Sequence, residues 1–365
     1  LSISTDRKVF EQGSAVRARL LDYGRLVGEL HVIVFAKRSL GFLDEKVAPN
    51  IYLYPTNSLG KFFHILFAIF CALKMKRRGV SVDVVTAQDP FEAGLAGYII
   101  ARIFKARLHI QIHTDVMSPY FACESFLNLA RVRLAKFLLP RAGAIRVVSE
   151  RIKDSLSTFG FRLSTVTVLP IFIDTQISTK KTANNLKKKY PQFDSHLLIA
   201  ARLSREKNIG SAIEAMQTVI SEHPKAGLII TGDGPEEMKL KKLVAKLGLE
   251  KNVVFEGWQD DLFGYYKTAD ALVLPSYYEG YGMVAVEALA AQCPVIMTDV
   301  GCAGDVIIDP ENGLVVPVGD TPALAYAIGR VVAGNVKFDV KPPILPTKEE
   351  YLEAYKKSWE DANLR

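Results

Sequence analysis

The sequence predicts an α/β protein of two domains, each alternating strand and helix around a sheet. Three observations carry this. The 365 residues suffice for two domains of ordinary size. Leu1 to Ser4 reads as a strand that passes through a glycine-bearing loop, Glu11-Gln12-Gly13-Ser14, into a helix running to about Gly24. That is the opening of a nucleotide-type α/β domain. Far downstream the theme recurs: an apolar strand (271–274), the loop Pro275 to Gly282, a helix from about Met283 to Ala291, and a second strand, Pro294 to Thr298.

Composition narrows the class. An apolar fraction of 49% and a charged fraction of 23% are those of a globular chain. The longest apolar run, Phe62 to Leu73, includes His64 and stops at about twelve residues, short of the ~20 that a membrane span needs. No signal peptide opens the chain, and Leu1 already lies inside a strand, so a few native residues are expected upstream. Cys71, Cys123, Cys293 and Cys302 lie far apart with no C-x-x-C pair. Buried reduced thiols in a cytoplasmic protein are the expected reading. Of the six histidines only His109 and His113 stand four apart, with no further His or Cys beside them, and no metal site is expected. A formal charge of +7 favours anionic partners without choosing among nucleotide sugars, membrane surfaces and nucleic acid.

In order, His31 to Ala36 and Ile51 to Tyr54 read as short strands, and Lys61 to Arg78 as a helix with a heavy apolar load and a basic end. Sheet-covering helices need such an apolar face, and the cations complement the C-terminal dipole. A membrane-surface helix is the sharper alternative. Val82 to Thr86 is a buried strand, and Asp89-Pro90 caps the next helix. Leu108 to Ile112 alternates as a strand and delivers His113 at its C-terminal end, where open α/β sheets place ligands. His109 lies within that strand and matters less. Glu124 to Leu139 is a second basic amphipathic helix, Ala144 to Val148 a strand, and Val166 to Leu169 the last strand before Pro170.

Thr175 to Ser195 is polar and lysine-rich (Lys180, Lys181, Lys187, Lys188, Lys189), a connecting segment with a short helix. It lacks interleaved aromatics, so nucleic acid is discounted as a partner. His196 to Ala201 opens the second domain and ends in Arg202-Leu-Ser-Arg-Glu-Lys207. A diphosphate needs cations, ideally a fork-shaped arginine and a mobile lysine, and a strand end is a suitable place for them. The bland alternative pairs Lys207 with Glu206; Arg205 reads as a solvated surface residue. Leu228 to Thr231 and Asn252 to Phe255 are further strands, the latter leading to Gly257-Trp258. Asn312 to Pro317 reads as a hairpin or strand edge, Thr321 to Val332 as a helix, and Lys348 to Asp361 as the last helix.

The chemistry concentrates at 279–287. The helix at Met283 offers unpaired N–H groups of Gly282, Met283 and Val284 and a positive dipole end, a seat for phosphate. Gly280 and Gly282 allow close backbone approach where a Cβ would collide. Glu279 precedes the helix and Glu287 lies roughly 6 Å along it. Carboxylates do not bind the anion itself; they suit hydroxyl-rich groups attached at its two ends, a sugar and a ribose. The ligand implied is a nucleotide-diphosphate sugar. Glu287 is alone among Val284, Ala285, Val286, Ala288, Leu289 and Ala290, which argues against an ordinary surface glutamate.

Glu279-Gly-Tyr-Gly-Met-Val-Ala-Val-Glu287 resembles the E-x7-E signature of retaining glycosyltransferases of family 4, whose fold is GT-B, and the likeness runs on through Asp299-Val-Gly301-Cys-Ala-Gly-Asp305. Tyr281 stands where phenylalanine is usual and Asp305 where glutamate is usual. The resemblance implies two Rossmann-like domains facing across a cleft: an acceptor domain over 1–172, a nucleotide-sugar donor domain over 173–345, and a helix over 346–365 returning to the first. It makes Arg202 and Lys207 the R-x4-K pair on the diphosphate and aims His113 at the donor sugar. It sets Gly13 in a loop near the diphosphate and acceptor, although Gly13-Ser14 replaces the usual glycine pair. Trp258 falls beside the base, with Gly280, Tyr281, Gly282, Met283, Val284 and Glu287 on the rest of the donor.

The expected reaction transfers a sugar from that donor to an acceptor hydroxyl with retention and without a metal or other cofactor. Hinges are expected near Asp174 and near Pro342, Pro343 and Pro346. The acceptor is expected to be a glycan or lipid-linked glycan, met at the inner face of an anionic membrane. A nucleotide-sugar epimerase on the same fold and a non-catalytic nucleotide-sugar-binding scaffold remain the alternatives. The epimerase would ignore added acceptors, and the scaffold would show no donor hydrolysis.

Overall fold

The computed structural model describes residues 1–161, 163–173 and 184–362. The chain divides into two compact units, Leu1–Pro170 with Pro346–Arg365, and Ile171–Leu345. The first carries eight strands: β1 (Ser2–Ser4), β2 (Leu30–Val34), β3 (Glu45–Ala48), β4 (Ile51–Pro55), β5 (Val84–Ala87), β6 (Arg107–Ile112), β7 (Ala144–Val147) and β8 (Val166–Val168). They lie in the order β3-β4-β2-β1-β5-β6-β7-β8, parallel except for β3. Helices α1 (Ala15–Gly24), α2 (His64–Arg77), α3 (Glu92–Phe104), α4 (Pro119–Glu124), α5 (Phe126–Leu138) and α6 (Glu150–Thr158) connect them.

The second unit has the sheet order β11-β10-β9-β12-β13-β14, all parallel. Its strands are β9 (Ser195–Ala200), β10 (Ala226–Thr231), β11 (Val253–Gly257), β12 (Ala271–Leu274), β13 (Val295–Thr298) and β14 (Gly313–Val316). Its helices are α7 (Leu186–Lys189), α8 (Ile209–Glu222), α9 (Glu237–Leu247), α10 (Phe263–Thr268), α11 (Met283–Ala290) and α12 (Thr321–Val332). The last helix, α13 (Lys348–Glu360), belongs to the first unit. Strands buried on both faces read as continuous apolar runs, as in Leu197, Leu198 and Ile199 or Leu228, Ile229 and Ile230, all fully buried.

Local chemistry sets the helix ends. Ser14, Ser125, Ser149 and Asp320 each accept an N–H of the first turn of the helix that follows. Thr347 and Glu350 form a reciprocal capping box at α13. Gly227 lets β10 pass the Phe193 ring, because a Cβ there would fall 2.1 Å from a ring carbon.

Several boundaries differ from the sequence reading. The helix expected over 61–78 begins as a 3-10 turn, Lys61–Phe63, since Gly60 supplies no capping side chain. The helix expected over 124–139 is α5, which starts at Phe126 because Ser125 turns extended and caps it, and Glu124 instead ends the short helix α4. Strand β3 was not anticipated: Glu-Lys-Val-Ala lacks a β-rich pattern and pairs only at a sheet edge. Of the two readings offered for 312–317 the strand edge holds and the hairpin does not: β14 is a parallel edge strand on β13. Of the four thiols Cys293 and Cys302 are buried, Cys71 is half-buried and Cys123 is exposed. The expected hinge at Asp174, and Lys180 and Lys181, lie outside the described residues. Among the described residues no helix is long and apolar enough to cross a membrane.

Candidate active site

Strand β12 delivers the loop Pro275 to Gly282 at its C-terminal end. Gly282 caps α11 at φ +87, a left-handed conformation that favours glycine, and no side chain covers this cap. Its carbonyl accepts the Ala285 N–H at 2.9 Å. Gly301, at φ +57, packs against the same loop; a Cβ there would lie 2.6 Å from the Tyr281 carbonyl oxygen and 2.9 Å from Glu279 Cβ. The loop is thus held by a neighbour that only glycine can supply. Tyr281 is buried, and burial pushes its phenol up to about 12.

Glu279 is buried and bound twice: Lys207 Nζ donates to its Oε1 at 2.6 Å and Ser276 Oγ at 2.8 Å. Lys207 therefore pairs with Glu279, not with Glu206. Glu206 instead accepts from Arg202 Nη2 at 2.8 Å and Ser204 Oγ at 2.6 Å. The carbonyl of Glu206 accepts the Tyr277 N–H at 2.8 Å, which joins the Arg205–Lys207 turn to the loop before α11. Gly232 and Gly234 permit the close packing beneath: a Cβ on either would fall 2.0 Å or 2.3 Å from the carbonyl oxygens of Ala201 and Leu203. Arg202 itself is exposed.

A cavity of about 510 Å³ opens beside these groups, within the range of small-molecule sites. Arg202, Trp258, Met283, Val284 and Glu287 all line it, and Phe172, Ile173 and Phe263 add apolar walls. Trp258 is 68% exposed, with its indole N–H donated to Asp260 at 2.9 Å. Lys207, Glu279, Gly280, Tyr281 and Gly282 are not on the cavity wall, but they adjoin it through the loop and the Lys207–Glu279 pair. Burial raises the Glu287 carboxyl above its ordinary range, and the hydroxyl of Tyr266 offsets this by donating to Oε2 at 3.1 Å. Burial and the Glu287 charge hold the Tyr266 phenol well above 10, so it stays a donor. Removing only that hydroxyl, in Tyr266→Phe, is expected to weaken nucleotide binding about 10-fold or more, the worth of one hydrogen bond to a charged group. The check is a raised KM for donor with kcat within twofold.

In the first unit, β6 ends at Ile112 and places His113, half-buried, just beyond it. Burial, then the charges of Arg146 and Arg19, pushes the His113 imidazole down to about 3. It is neutral near pH 7. His109, fully buried with Nδ1 at 2.8 Å from Thr86 Oγ1, is pushed down to about 3 for similar reasons. Both folded values lie below the ordinary 6.5, so the unfolded chain binds more protons between 6.5 and 3. Stability is expected to hold above pH 6.5 and fall on acidification through that window. His109→Gln should flatten the dependence of melting temperature on pH there. Gly13, exposed at φ +78, sits in the turn before α1 with no atom near its missing Cβ. The structure thus places Gly13 and His113 in one unit and the remaining candidates in the other.

Sequence reasoning passed over Tyr266 and Ser276, and weighed Glu206 only as a partner of Lys207 and not of Arg202. Tyr266 lies in the six-residue helix Phe-Gly-Tyr-Tyr-Lys-Thr, where neither tyrosine is marked by spacing. Gly301 was quoted only as part of the motif; its contact with Glu279 has no signal along the chain. Among the described residues no three His, Cys, Asp or Glu side chains gather as a metal site.

The chain is similar to known proteins in sequence and in fold. Residues 180–341 match the family described as Glycosyl transferases group 1, and residues 25–177 match Glycosyltransferase Family 4. N-acetyl-alpha-D-glucosaminyl L-malate synthase of Bacillus anthracis is 26% identical over 303 residues, 81% of this chain and 78% of that protein. Several further relatives match over only about a third of their own length. Sucrose-phosphate synthase of Thermosynechococcus elongatus superposes with a TM-score of 0.74 at 19% identity, covering 100% of this chain and 96% of that one. HepE of Anabaena, solved in complex with UDP-glucose, gives a TM-score of 0.71 at 19% identity, covering 100% and 94%. The two family matches divide the chain near the point where its two units meet in sequence, and between them they leave out only its first 24 residues, its last 24 and residues 178–179. The chain belongs to the glycosyltransferases of the group 1 and family 4 type, built on the GT-B fold.

Proposed function

We propose that the chain transfers a hexosyl group from a nucleotide-diphosphate sugar to an acceptor hydroxyl, with retention at the anomeric carbon and without a metal. The observation that carries this is the cavity of the second unit, where a guanidinium, a helix N-terminus, an exposed indole and a half-buried carboxylate meet in about 510 Å³. Each matches one part of such a donor. Trp258 stacks on or flanks the base, and Glu287, oriented by Tyr266, takes the ribose hydroxyls. Arg202, Lys207 and the first N–H groups of α11 take the diphosphate. The UDP-glucose complex of HepE is a precedent on this fold.

The chemical step breaks the bond between the anomeric carbon and the diphosphate oxygen, whose electron pair leaves with the phosphate. The acceptor oxygen forms its bond to the same face of that carbon, and its proton passes to the departing diphosphate. Charge growing on the phosphate is met by Lys207, Arg202 and the helix N–H groups, preorganised donors that act most strongly in the transition state. Glu279 binds hydroxyls of the sugar and steadies positive charge near its ring. His113 keeps the role that the resemblance gives it, a contact to the donor sugar, made by a neutral imidazole. Gly13 lies in the loop proposed to approach diphosphate and acceptor. The acceptor is a glycan or lipid-linked glycan, met from the cytoplasm with peripheral contact to an anionic membrane.

A thermal-shift panel of UDP, GDP, ADP and their sugars tests the donor half, because a ligand raises the melting point by an amount that grows with the logarithm of its affinity. One nucleotide series should stabilise the protein, and Arg202→Ala should reduce that shift. If none of the series shifts the wild type, the reading fails.

A further inference from the structure

Three neighbouring loops of the first unit carry charge that the donor leaves unused. Strands β4, β2 and β1 lie side by side and parallel, so their C-terminal ends open on one edge of the sheet, the edge where β6 delivers His113. Open α/β sheets place ligands at that edge. There β1 leads to Arg7 and Lys8, β2 to Lys37 and Arg38, and β4 to Ser58 and Lys61. Backbone bonds tie the loops together: the Arg38 N–H donates to the Ser58 carbonyl at 3.0 Å, and the Phe35 N–H to the Ser4 carbonyl at 2.9 Å. Residues 5–8, 35–41 and 56–64 hold five Lys and Arg against one acid, Asp6, whose carboxylate is occupied by the Lys8 N–H at 3.0 Å. Elsewhere surface lysines sit beside acids, as in Lys153–Glu150, Lys239–Glu236 and Lys241–Glu237. Among the described residues Arg7, Lys37 and Lys61 have no such pair.

His64 stands among these loops, half-buried at the start of α2 and stacked on Phe35 with ring centroids 5.1 Å apart. Its Nδ1 lies 2.7 Å from Ser58 Oγ and 3.3 Å from Thr56 Oγ1. Both hydroxyls have carbonyls for their own hydrogens, that of Gly60 at 3.1 Å from Ser58 and that of Ala36 at 3.0 Å from Thr56. Nδ1 therefore carries the ring proton, and Nε2 keeps a lone pair that no donor among the described residues takes up. Burial, then the charges of Arg7, Lys37 and Lys61, pushes the imidazole below its ordinary value, so it is neutral near pH 7. Three cations that converge on one uncharged ring leave a local positive field with nothing beside it to neutralise it.

We propose that Arg7, Lys37 and Lys61 hold a compact acid group of the acceptor, a phosphate monoester or a carboxylate, with His64 Nε2 accepting from a hydroxyl beside it. Ammonium groups on mobile stems suit a small anion approached from several sides, and Arg7 adds a planar fork. A neutral glycan would leave all three cations unmatched. This deepens the proposed function by giving the acceptor a charge, and it rests on that reading only for the step from acid group to acceptor.

Histidine-resolved NMR of the whole chain, with the His64 signals identified by their loss in His64→Gln, tests the subsite. The probes are inorganic phosphate, glycerol 3-phosphate and succinate, with glycerol as the neutral control. An anion beside an imidazole favours its charged form, so at about pH 6 the acids should move the His64 signals toward the protonated position. Glycerol should leave them in place. Lys37→Gln with Lys61→Gln, both at exposed sites, should raise the apparent Kd about tenfold or more, while an unmoved His109 signal reports an intact fold. Hydrolysis of the stabilising nucleotide sugar should slow when glycerol 3-phosphate fills the subsite, and less so in the double variant. His64 signals that stay still with every acid overturn the proposal, as does an equal response to glycerol or equal affinity in wild type and variant. Movement with phosphatidylglycerol vesicles alone would assign the cations to a lipid surface and overturn it too. Hydrolysis indifferent to glycerol 3-phosphate would strike the acceptor role. A nucleotide thermal shift absent from the wild type would count against the donor reading and leave the binding result standing.

Discussion

Lys207→Ala is expected to lower kcat/KM for sugar transfer about 10²- to 10³-fold, the scale for losing one preorganised charge stabiliser. The Lys207–Glu279 pair explains why the loss should be large and how it should divide. Glu279 is buried beside a site proposed for a dianion, where an unneutralised carboxylate would repel the donor. Lys207 lies 2.6 Å from it and cancels that field while keeping further N–H bonds to give. Removing Lys207 therefore takes away a diphosphate contact and exposes the donor to the Glu279 charge, so KM should rise along with the fall in kcat. Glu279→Ala leaves the cation free for phosphate. Its KM should stay near wild type or drop, and kcat alone should fall. Initial rates across donor concentration separate the two patterns; a Lys207→Ala variant with more than a tenth of wild-type kcat/KM would remove the pair from the reaction. Arg202 differs in kind, because it is exposed and held at 2.8 Å by Glu206. Its guanidinium must leave or share that carboxylate to meet a phosphate, so Arg202→Ala should cost less than Lys207→Ala.

The contrast between those two cations shows where the sequence stops speaking. Strand ends, a glycine pair and an isolated glutamate in an apolar helix were legible, because each is a local departure from what packing alone asks for. The two parallel sheets were legible for the same reason, since strands buried on both faces read as unbroken apolar runs. Partner choice was not. Glu206 is adjacent to Lys207 in sequence, yet the 3-10 turn Arg205–Lys207 sends the lysine to Glu279, 72 residues on, and leaves Glu206 to Arg202. Tyr266 and Glu287 are likewise 21 residues apart and meet only because α10 packs on α11. Edge strand β3 escaped for a different reason: four residues at a sheet rim need no apolar alternation.

The second large effect is expected in the first unit, away from the donor cavity, at Arg146. Its side chain is buried on β7, and the hydrogen-bond partners it has among the described residues include no carboxylate. Its donors go instead to Gln111 Oε1 at 2.8 Å, the Leu169 and Pro170 carbonyls at 3.1 Å each, and the Tyr351 hydroxyl at 3.1 Å. Tyr355, stacked on Tyr23 with ring centroids 4.5 Å apart, covers the guanidinium at 4.8 Å. One cation thus joins β6, β7, the chain leaving the unit at Pro170 and the helix α13 that re-enters it. A buried charge can often be exchanged for an apolar group of the same shape at little cost, but only when its partners are exchanged too. Two of these partners are backbone carbonyls, which no substitution removes. Arg146→Met should therefore leave several buried acceptors without donors and cost about 3–5 kcal/mol. For a unit of this size that corresponds to a melting point lowered by roughly 10 °C. Arg146→Lys, which keeps the charge but not the fork, should lie between Met and wild type. Calorimetry in the presence of the stabilising nucleotide locates the effect. Ligand binding in the second unit raises that unit's transition, and the Arg146→Met loss should appear in the other one. A shift of under about 2 °C would mean that α13 is held by its tyrosines and Trp359 alone, with the guanidinium contributing little beyond filling space.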